Sequence, residues 1–315
     1  MLAGCGGPDA SGDAVSATPH LAAESLVARD GTRLPLRRWQ PARAPRTLLL
    51  ALHSFGDYSA AFETLGRHLA ASGHAVYAID QRGFGAAPGF GRWAGTAAMR
   101  DDLVDLVRAV RAEQPGVPLH VLGESMGGSV ALVAAGEGLL PEVESLVLLG
   151  PGVREGIRLR YLWNALYGLA SLVAPGLSRG IEPADPAYTE RAFARFASDP
   201  LVLREVRAGT YYGLLRLADA ASQEAYQMAL PTALLIGADD TYVGGRSFCL
   251  LAAALPRLEA SRAYKGGIHR LLHQQAVQPR LLADIRSWLE QGRLGRRAPG
   301  DRALAAFCGA ATGPA

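Results

Sequence analysis

The sequence predicts an α/β fold, a mostly parallel central sheet with helices on both faces and an inserted helical cap. Three observations carry that expectation. Apolar runs at 47–53 (TLLLALH), 75–80, 119–123, 145–149 and 232–237 have the length of strands buried on both faces. Longer amphipathic patterns at 62–71, 99–113, 126–135, 248–255 and 271–289 alternate with them, as parallel βαβ units require. Between about 151 and 230 the alternation stops and the pattern becomes helical, with Tyr161, Trp163, Tyr167, Phe193, Phe196, Tyr211 and Tyr212 among its apolar residues. A stretch of that kind inside an alternating chain is a cap.

From the amino end, residues 1–22 hold Gly, Pro, Ser, Asp and Ala without apolar periodicity and are expected to form a flexible leader. Within it, Leu2-Ala3-Gly4-Cys5 is similar to the cleavage site of bacterial lipoproteins, which implies a lipid on Cys5. A signal peptide needs basic and apolar segments ahead of that site, and only Met1 to Gly4 precede it. As written the chain reads as cytoplasmic; with a start codon further upstream it reads as a cell-envelope lipoprotein. Segments 24–29 and 33–39 are joined by Asp30-Gly31, a strong hairpin signal, so an antiparallel pair is expected before the parallel strands. The core is then expected over 23–150 and 231–291, with the cap over 151–230. A disordered tail is expected over 292–315, where Arg293, Arg296, Arg297 and Arg302 precede a Gly/Ala-rich finish.

Composition narrows the function classes. The 49% hydrophobic and 19% charged residues belong to a globular chain, not a disordered one. A net charge of +3, from 32 basic and 29 acidic residues, is no footprint for nucleic acid. Cys5, Cys249 and Cys308 are odd in number, far apart and without a Cys-x-x-Cys, so neither a disulfide framework nor a zinc knuckle is expected. Residues 161–178 are uncharged between Arg160 and Arg179, long enough to reach the transmembrane threshold. Asn164, Gly168, Pro175 and Gly176 interrupt them, and one span there would split the sheet, so they are expected to form an apolar cap helix.

The chemistry concentrates at Gly123-Glu124-Ser125-Met126-Gly127, a Gly-x-Ser-x-Gly between a strand pattern and a helix pattern, followed by Gly128. Ser125 on such a turn lies over the next helix's N-terminus, whose dipole favours developing negative charge. A serine needs a base, and the base needs an orienting carboxylate. Of the seven histidines, His20 falls in the leader, His68 on a surface helix, and His74 and His120 at strand starts, where structural roles suffice. His53 ends a strand that points at the site but also at loop backbone. His269 sits in Gly266-Gly267-Ile268-His269, between the last strand pattern and the last helix. His273, four residues on, could share a metal with it, but no third ligand accompanies the pair. A carboxylate is expected after the strand at 232–237, where Gly237-Ala238-Asp239-Asp240 stands. The order Ser125, Asp239 or Asp240, His269 is one of three unrelated orders that such triads use.

With these residues the chain resembles α/β-hydrolases of the monoacylglycerol lipase and lysophospholipase group, relatives of the serine aminopeptidase-like hydrolases. The resemblance spans residues 26–289 and rests on His53 to Ser59, Asp80-Gln81-Arg82-Gly83-Phe84-Gly85, Gly123 to Gly128, Gly237 to Asp240 and Tyr264 to His269. It implies the α/β-hydrolase fold, Asp240 as the acid with Asp239 as fallback, and the backbone N–H groups of Phe55 and Met126 as oxyanion donors. Where that group has His-Gly this chain has His53-Ser54. Phe84 replaces a small polar residue or histidine, a change expected to alter packing and leave the triad alone. The resemblance implies ester hydrolysis through an acyl-enzyme, with no cofactor and no metal. The expected substrate is a lipid or other small-molecule ester, a single-chain lipid by preference, with Trp163, Leu166 and Tyr167 lining its site. A peripheral or lipid-anchored membrane contact is left open. The alternatives are a short-chain carboxylesterase, an aminopeptidase-like hydrolase, which would need an acidic cluster in the cap, and a non-catalytic binding protein on the same fold.

Overall fold

The computed structural model describes residues 17–154, 165–166, 168–170, 172–174, 177–180, 194 and 197–311. Cys5, Trp163 and Tyr167 lie outside them. The strands are β1 (His20–Leu21), β2 (Ser25–Val27), β3 (Arg33–Trp39), β4 (Leu48–Leu52), β5 (Ala75–Ile79), β6 (Leu119–Glu124), β7 (Ser145–Leu149), β8 (Ser178–Gly180), β9 (Glu205–Arg207), β10 (Thr232–Gly237) and β11 (Leu258–Tyr264). Nine form one sheet in the order β1-β2-β3-β5-β4-β6-β7-β10-β11. The first three pairings are antiparallel and the remaining ones parallel. Side chains alternate between two apolar layers: Leu48, Leu50 and Leu52 on one face, Leu49 and Ala51 on the other. Burial on both faces is why β4, β5, β7 and β10 are almost wholly apolar, while β6 carries buried His120 and Glu124 among its apolar residues.

The labelled helices are α1 (Glu63–Ala71), α2 (Thr96–Glu113), α3 (Met126–Gly136), α4 (Ala208–Glu224), α5 (Gly245–Ala254), α6 (Gln278–Gln291) and α7 (Leu304–Ala311). The hairpin at Asp30-Gly31 forms, with Gly31 at φ 80° where an L side chain would be strained.

Four expectations need correction. The end of the supposed leader is not loose: His20–Leu21 pairs with Leu26 and Val27. Strand β11 was missed because Glu259, Ser261 and Arg262 break an apolar run, as an outer strand of the sheet allows. The region 151–230 is neither purely helical nor wholly a cap. It contains the antiparallel pair β8–β9, and α4 lies against α3, with Leu217 and Ala221 fully buried in the main core. At Gly136 a Cβ would lie 2.5 Å from the Glu224 carbonyl oxygen, so these two helices meet backbone to backbone.

The fourth correction concerns the carboxyl end, which is tied down rather than frayed. Arg302 exchanges two backbone hydrogen bonds with Ala263 beside β11, each 2.9 Å. Buried Asp301 accepts from the Lys265 N–H at 3.0 Å and from Arg280. Leu304 is buried, and Cys308 forms a disulfide with Cys249 across 59 residues. Sequence spacing could not reveal this bridge, because α7 meets α5 only after the tail folds back.

Candidate active site

The site stands at the carboxyl ends of the parallel strands. Strand β6 runs into α3 through Ser125, the one described non-glycine residue with positive φ (φ 49°, ψ −112°). Such a conformation costs about 1–3 kcal/mol and persists only where its surroundings over-determine it. Here they do. The Ser125 N–H donates to the Leu149 carbonyl at 3.0 Å, and its own carbonyl accepts the Gly152 N–H at 2.9 Å. The flanking glycines are required by space: a Cβ on Gly127 would sit 2.2 Å from the Leu52 carbonyl oxygen, and one on Gly123 2.5 Å from that of Gly127.

Three side chains named from the sequence meet on this elbow. Ser125 Oγ lies 2.8 Å from His269 Nε2, and His269 Nδ1 lies 2.8 Å from Asp240 Oδ2. Carboxylate contact with Nδ1 favours the tautomer with Nδ1 protonated and Nε2 free to accept the serine proton. Asp240 is oriented in turn, since its Oδ1 accepts the N–H groups of Tyr242 and Val243 at 2.8 and 3.0 Å. The Asp239 N–H donates to the Gly267 carbonyl at 2.8 Å, joining the acid loop to the histidine loop. The Tyr242 ring stacks on the imidazole with centroids 5.2 Å apart. The histidine loop is clamped by Gln274, whose Oε1 accepts from Ile268 N–H at 2.7 Å and whose Nε2 donates to the Gly266 carbonyl at 3.1 Å.

After β4 the chain turns tightly at residues 54–57, closed by the Asp57 N–H donating to the Ser54 carbonyl at 3.2 Å. Gly56, at φ 75°, occupies the third position of this turn, which needs a left-handed residue. Phe55 stands second. Met126 opens α3, and its N–H is among the first four of a helix, which have no intrahelical acceptor. Phe84 is fully buried, and it meets the Phe55 ring edge-on at 5.3 Å and the His53 ring at 5.8 Å. His53 is a brace between strand ends. Its Nε2 accepts the Gln81 N–H at 2.9 Å, which leaves Nδ1–H to donate to the Ser54 carbonyl at 2.9 Å, and burial lowers its pKa.

His273 Nε2 lies 3.5 Å from Asp57 Oδ2, and no cluster of three metal-ligating side chains exists among the described residues. Leu166 is 48% exposed, and Leu169, Leu172, Val173 and Leu177, near it in sequence, are exposed as well. No described helix is long and apolar enough to cross a membrane. The returning segment from the cap touches the turn at 54–57. Leu203 N–H donates to the Gly56 carbonyl at 2.8 Å, and Tyr58 Oη–H donates to Asp199 at 2.6 Å. A polar cavity of about 430 Å³ lies far from the elbow, at the amino ends of the strands, and is lined by His74, His120, Ser145 and Trp288.

Sequence reasoning did not single out Asp57, Arg270, Gln274 or Tyr242. Their types are ordinary for loops, and only the meeting of loops far apart in the chain assigns them work.

A family model described as "Serine aminopeptidase, S33" matches residues 43–276. The chain is 27% identical to a human monoglyceride lipase over 287 residues, covering 87% of this chain and 92% of that protein. It is 25% identical to a monoacylglycerol lipase of Mycolicibacterium smegmatis over 276 residues, covering 84% and 95%. Among solved structures, a soluble variant of monoglyceride lipase from Saccharomyces cerevisiae in complex with a substrate analogue superposes with a TM-score of 0.71 at 20% identity, covering 90% of this chain and 98% of that one. The Paleococcus ferrophilus monoacylglycerol lipase does so with 0.67 at 21%, covering 81% and 98%. These structural likenesses, with the observed sheet order, establish the α/β-hydrolase fold.

Proposed function

Because the chain belongs to the serine aminopeptidase family of α/β-hydrolases and is a serine ester hydrolase, we propose that it cleaves single-chain lipid esters, such as monoacylglycerols or lysophospholipids, through a Ser125–His269–Asp240 triad. The observation that carries this reading is the unbroken hydrogen-bonded chain from Asp240 through His269 to the strained Ser125. In the proposed mechanism Ser125 Oγ attacks the ester carbonyl as His269 Nε2 takes its proton. The N–H groups of Phe55 and Met126 receive the oxyanion. The tetrahedral intermediate collapses as His269 returns the proton to the leaving alcohol, and water, activated by the same imidazole, releases the fatty acid from Ser125. Asp240 holds the tautomer and stabilises the imidazolium. No step calls on a metal or cofactor.

The lipid preference rests on two supports. The relatives named above are monoglyceride lipases. Leu166, Leu169, Leu172, Val173 and Leu177, exposed and close together in sequence, are apolar side chains of the kind that seat an acyl chain or rest on a lipid interface. Each buried methylene contributes about 0.8 kcal/mol, so kcat/KM for p-nitrophenyl esters should climb from acetyl to octanoyl. Leu166→Glu and Leu172→Glu should flatten that slope while acetate turnover survives. A preference for acetate, unmoved by these changes, would reduce the enzyme to a short-chain carboxylesterase.

The family description also favours an aminopeptidase-like reading, in which cap carboxylates hold a substrate amine. Of the acidic residues between 155 and 205, Asp199 accepts from Tyr58 and Glu205 from Ser178, while Glu155, Glu182, Asp185 and Glu190 lie outside the described residues. Turnover of amino-acid p-nitroanilides above that of lipid esters would select that reading. The Cys249–Cys308 disulfide supports an oxidising, extracytoplasmic setting over the cytoplasmic one. Alkylation of cell lysates without reductant tests it: two blocked thiols are expected, and two free ones would return the enzyme to the cytoplasm.

A further inference from the structure

The turn that presents the Phe55 N–H and the loop that presents His269 come from opposite ends of the chain, yet they are joined by a buried ion pair. Arg270 Nη2 lies 2.6 Å from Asp57 Oδ2, across 213 residues of sequence. Both side chains are almost wholly buried, with 6% and 2% exposed. Asp57 closes the turn through its own N–H, and its Oδ1 accepts the following Tyr58 N–H at 2.9 Å, so its carboxylate is fixed relative to Phe55. Arg270 directly follows His269 and begins the short helical turn whose first bond runs from the His273 N–H to the Arg270 carbonyl at 3.1 Å. His273 Nε2 stands 3.5 Å from the same Asp57 oxygen. One carboxylate oxygen therefore gathers two side chains of the histidine loop.

We infer that the Asp57–Arg270 pair is a positioning device that sets the distance and angle between the oxyanion donor and the imidazole. The inference rests on the proposed roles of Ser125, His269 and Phe55. A buried ion pair is a poor source of net stability, because well-packed apolar residues of similar volume serve as well or better. What such residues cannot supply is a directional, charge-assisted contact from a planar guanidinium. Here that contact sits one residue from the base and two from the oxyanion donor. Displacements of about 1 Å between reacting groups can cost about a hundredfold in rate, so a brace at this point acts on kcat.

The experiment compares Arg270→Met, Asp57→Asn, Arg270→Lys and the neutral double variant Asp57→Asn/Arg270→Met, with Tm, kcat, KM and pH profile measured for each on p-nitrophenyl octanoate. The single neutral variants should lower kcat by about tenfold to a hundredfold, with KM changed less than about threefold. Arg270→Lys, which keeps the charge but not the fork, should recover part of that loss. The double variant removes both buried charges together while the asparagine at position 57 keeps an acceptor for the Tyr58 N–H, so it should recover Tm relative to the single variants without regaining kcat. The acid limb of kcat/KM should stay in place beneath a lowered plateau. Parental kcat in the double variant, or recovery of kcat in step with Tm, would overturn the proposal and leave a structural ion pair. A shifted acid limb with an intact plateau would overturn it too, in favour of a charge effect on His269. Residual turnover in Ser125→Ala strikes the triad instead, and is read separately from these ratios.

Discussion

At each end of the parallel sheet a serine oxygen lies 2.8 Å from a histidine nitrogen: Ser125 and His269 at the carboxyl ends, Ser145 and His120 at the amino ends. Their surroundings differ in every respect that matters for chemistry. Ser125 sits on a strained elbow, whereas Ser145 is a regular residue of β7. His269 has a carboxylate behind it; the other ring nitrogen of His120 has no hydrogen-bond partner among the described residues. The Trp288 indole N–H donates to Ser145 Oγ at 2.9 Å, and the Ser145 hydrogen is then available to His120 Nδ1. Burial, with nearby His74, pushes the His120 pKa down to about 4. A Ser–His contact is therefore not a site. Strain, an orienting carboxylate and free N–H groups make one, and parallel strands collect them at their carboxyl ends, where the crossover loops begin.

The largest expected contrast is between the two serines. Ser125→Ala should abolish ester turnover and fluorophosphonate labelling while the protein stays folded. Ser145→Ala should keep turnover and lose about 1–3 kcal/mol of stability by unpartnering Trp288 and His120, as denaturant melts would measure. Labelling retained in Ser125→Ala would sink the assignment.

Next comes the carboxylate that stands behind His269 and has no counterpart behind His120 among the described residues. Asp240→Asn should lower kcat by about 10⁴ through loss of the histidine tautomer. Asp239 bonds the histidine loop through its backbone, and Asp239→Asn should cost far less. The opposite ranking in steady-state kinetics would move the acid one residue upstream.

A smaller effect tests whether the two ends are held independently. Opening the Cys249–Cys308 bridge releases a long loop and should cost about 2–4 kcal/mol in thermal or urea unfolding. Because α5 follows the acid loop, kcat of the reduced protein at low temperature shows how far that loosening travels. Unchanged kcat would mean that Asp240 is held by its own loop alone.

The smallest effect is pH-dependent. His120 titrates near 6.5 when unfolded and near 4 when folded, so its neutral form stabilises the native state above pH 6.5. That contribution should fade as pH drops from 6.5 to 4, by about 1–3 kcal/mol. His74, lowered by burial in the same cavity, adds to the slope. His120→Gln should flatten the stability profile in this window and leave the pH profile of kcat/KM in place. A coincident shift of both profiles would show that the two ends communicate.

The sequence by itself determined the alternation of strands and helices, the elbow at Ser125, and the candidate partners His269 and Asp239 or Asp240. These are local matters: a strand buried on both faces must be apolar, a strained turn must be lined by glycines, and loops after parallel strands face one side. Tertiary structure decided what depends on distant segments meeting. It selected Asp240 as the carboxylate beside His269, since adjacent aspartates are equivalent until the loop is folded. It turned His273 toward Asp57, moved α4 into the core, and brought Cys308 back onto Cys249. It also joined Asp57 to Arg270 across 213 residues. Such pairings leave no period in the chain. A buried charge, a close approach of backbones or a disulfide is specified by the three-dimensional partner that compensates it, and that partner is fixed only once the sheet has assembled.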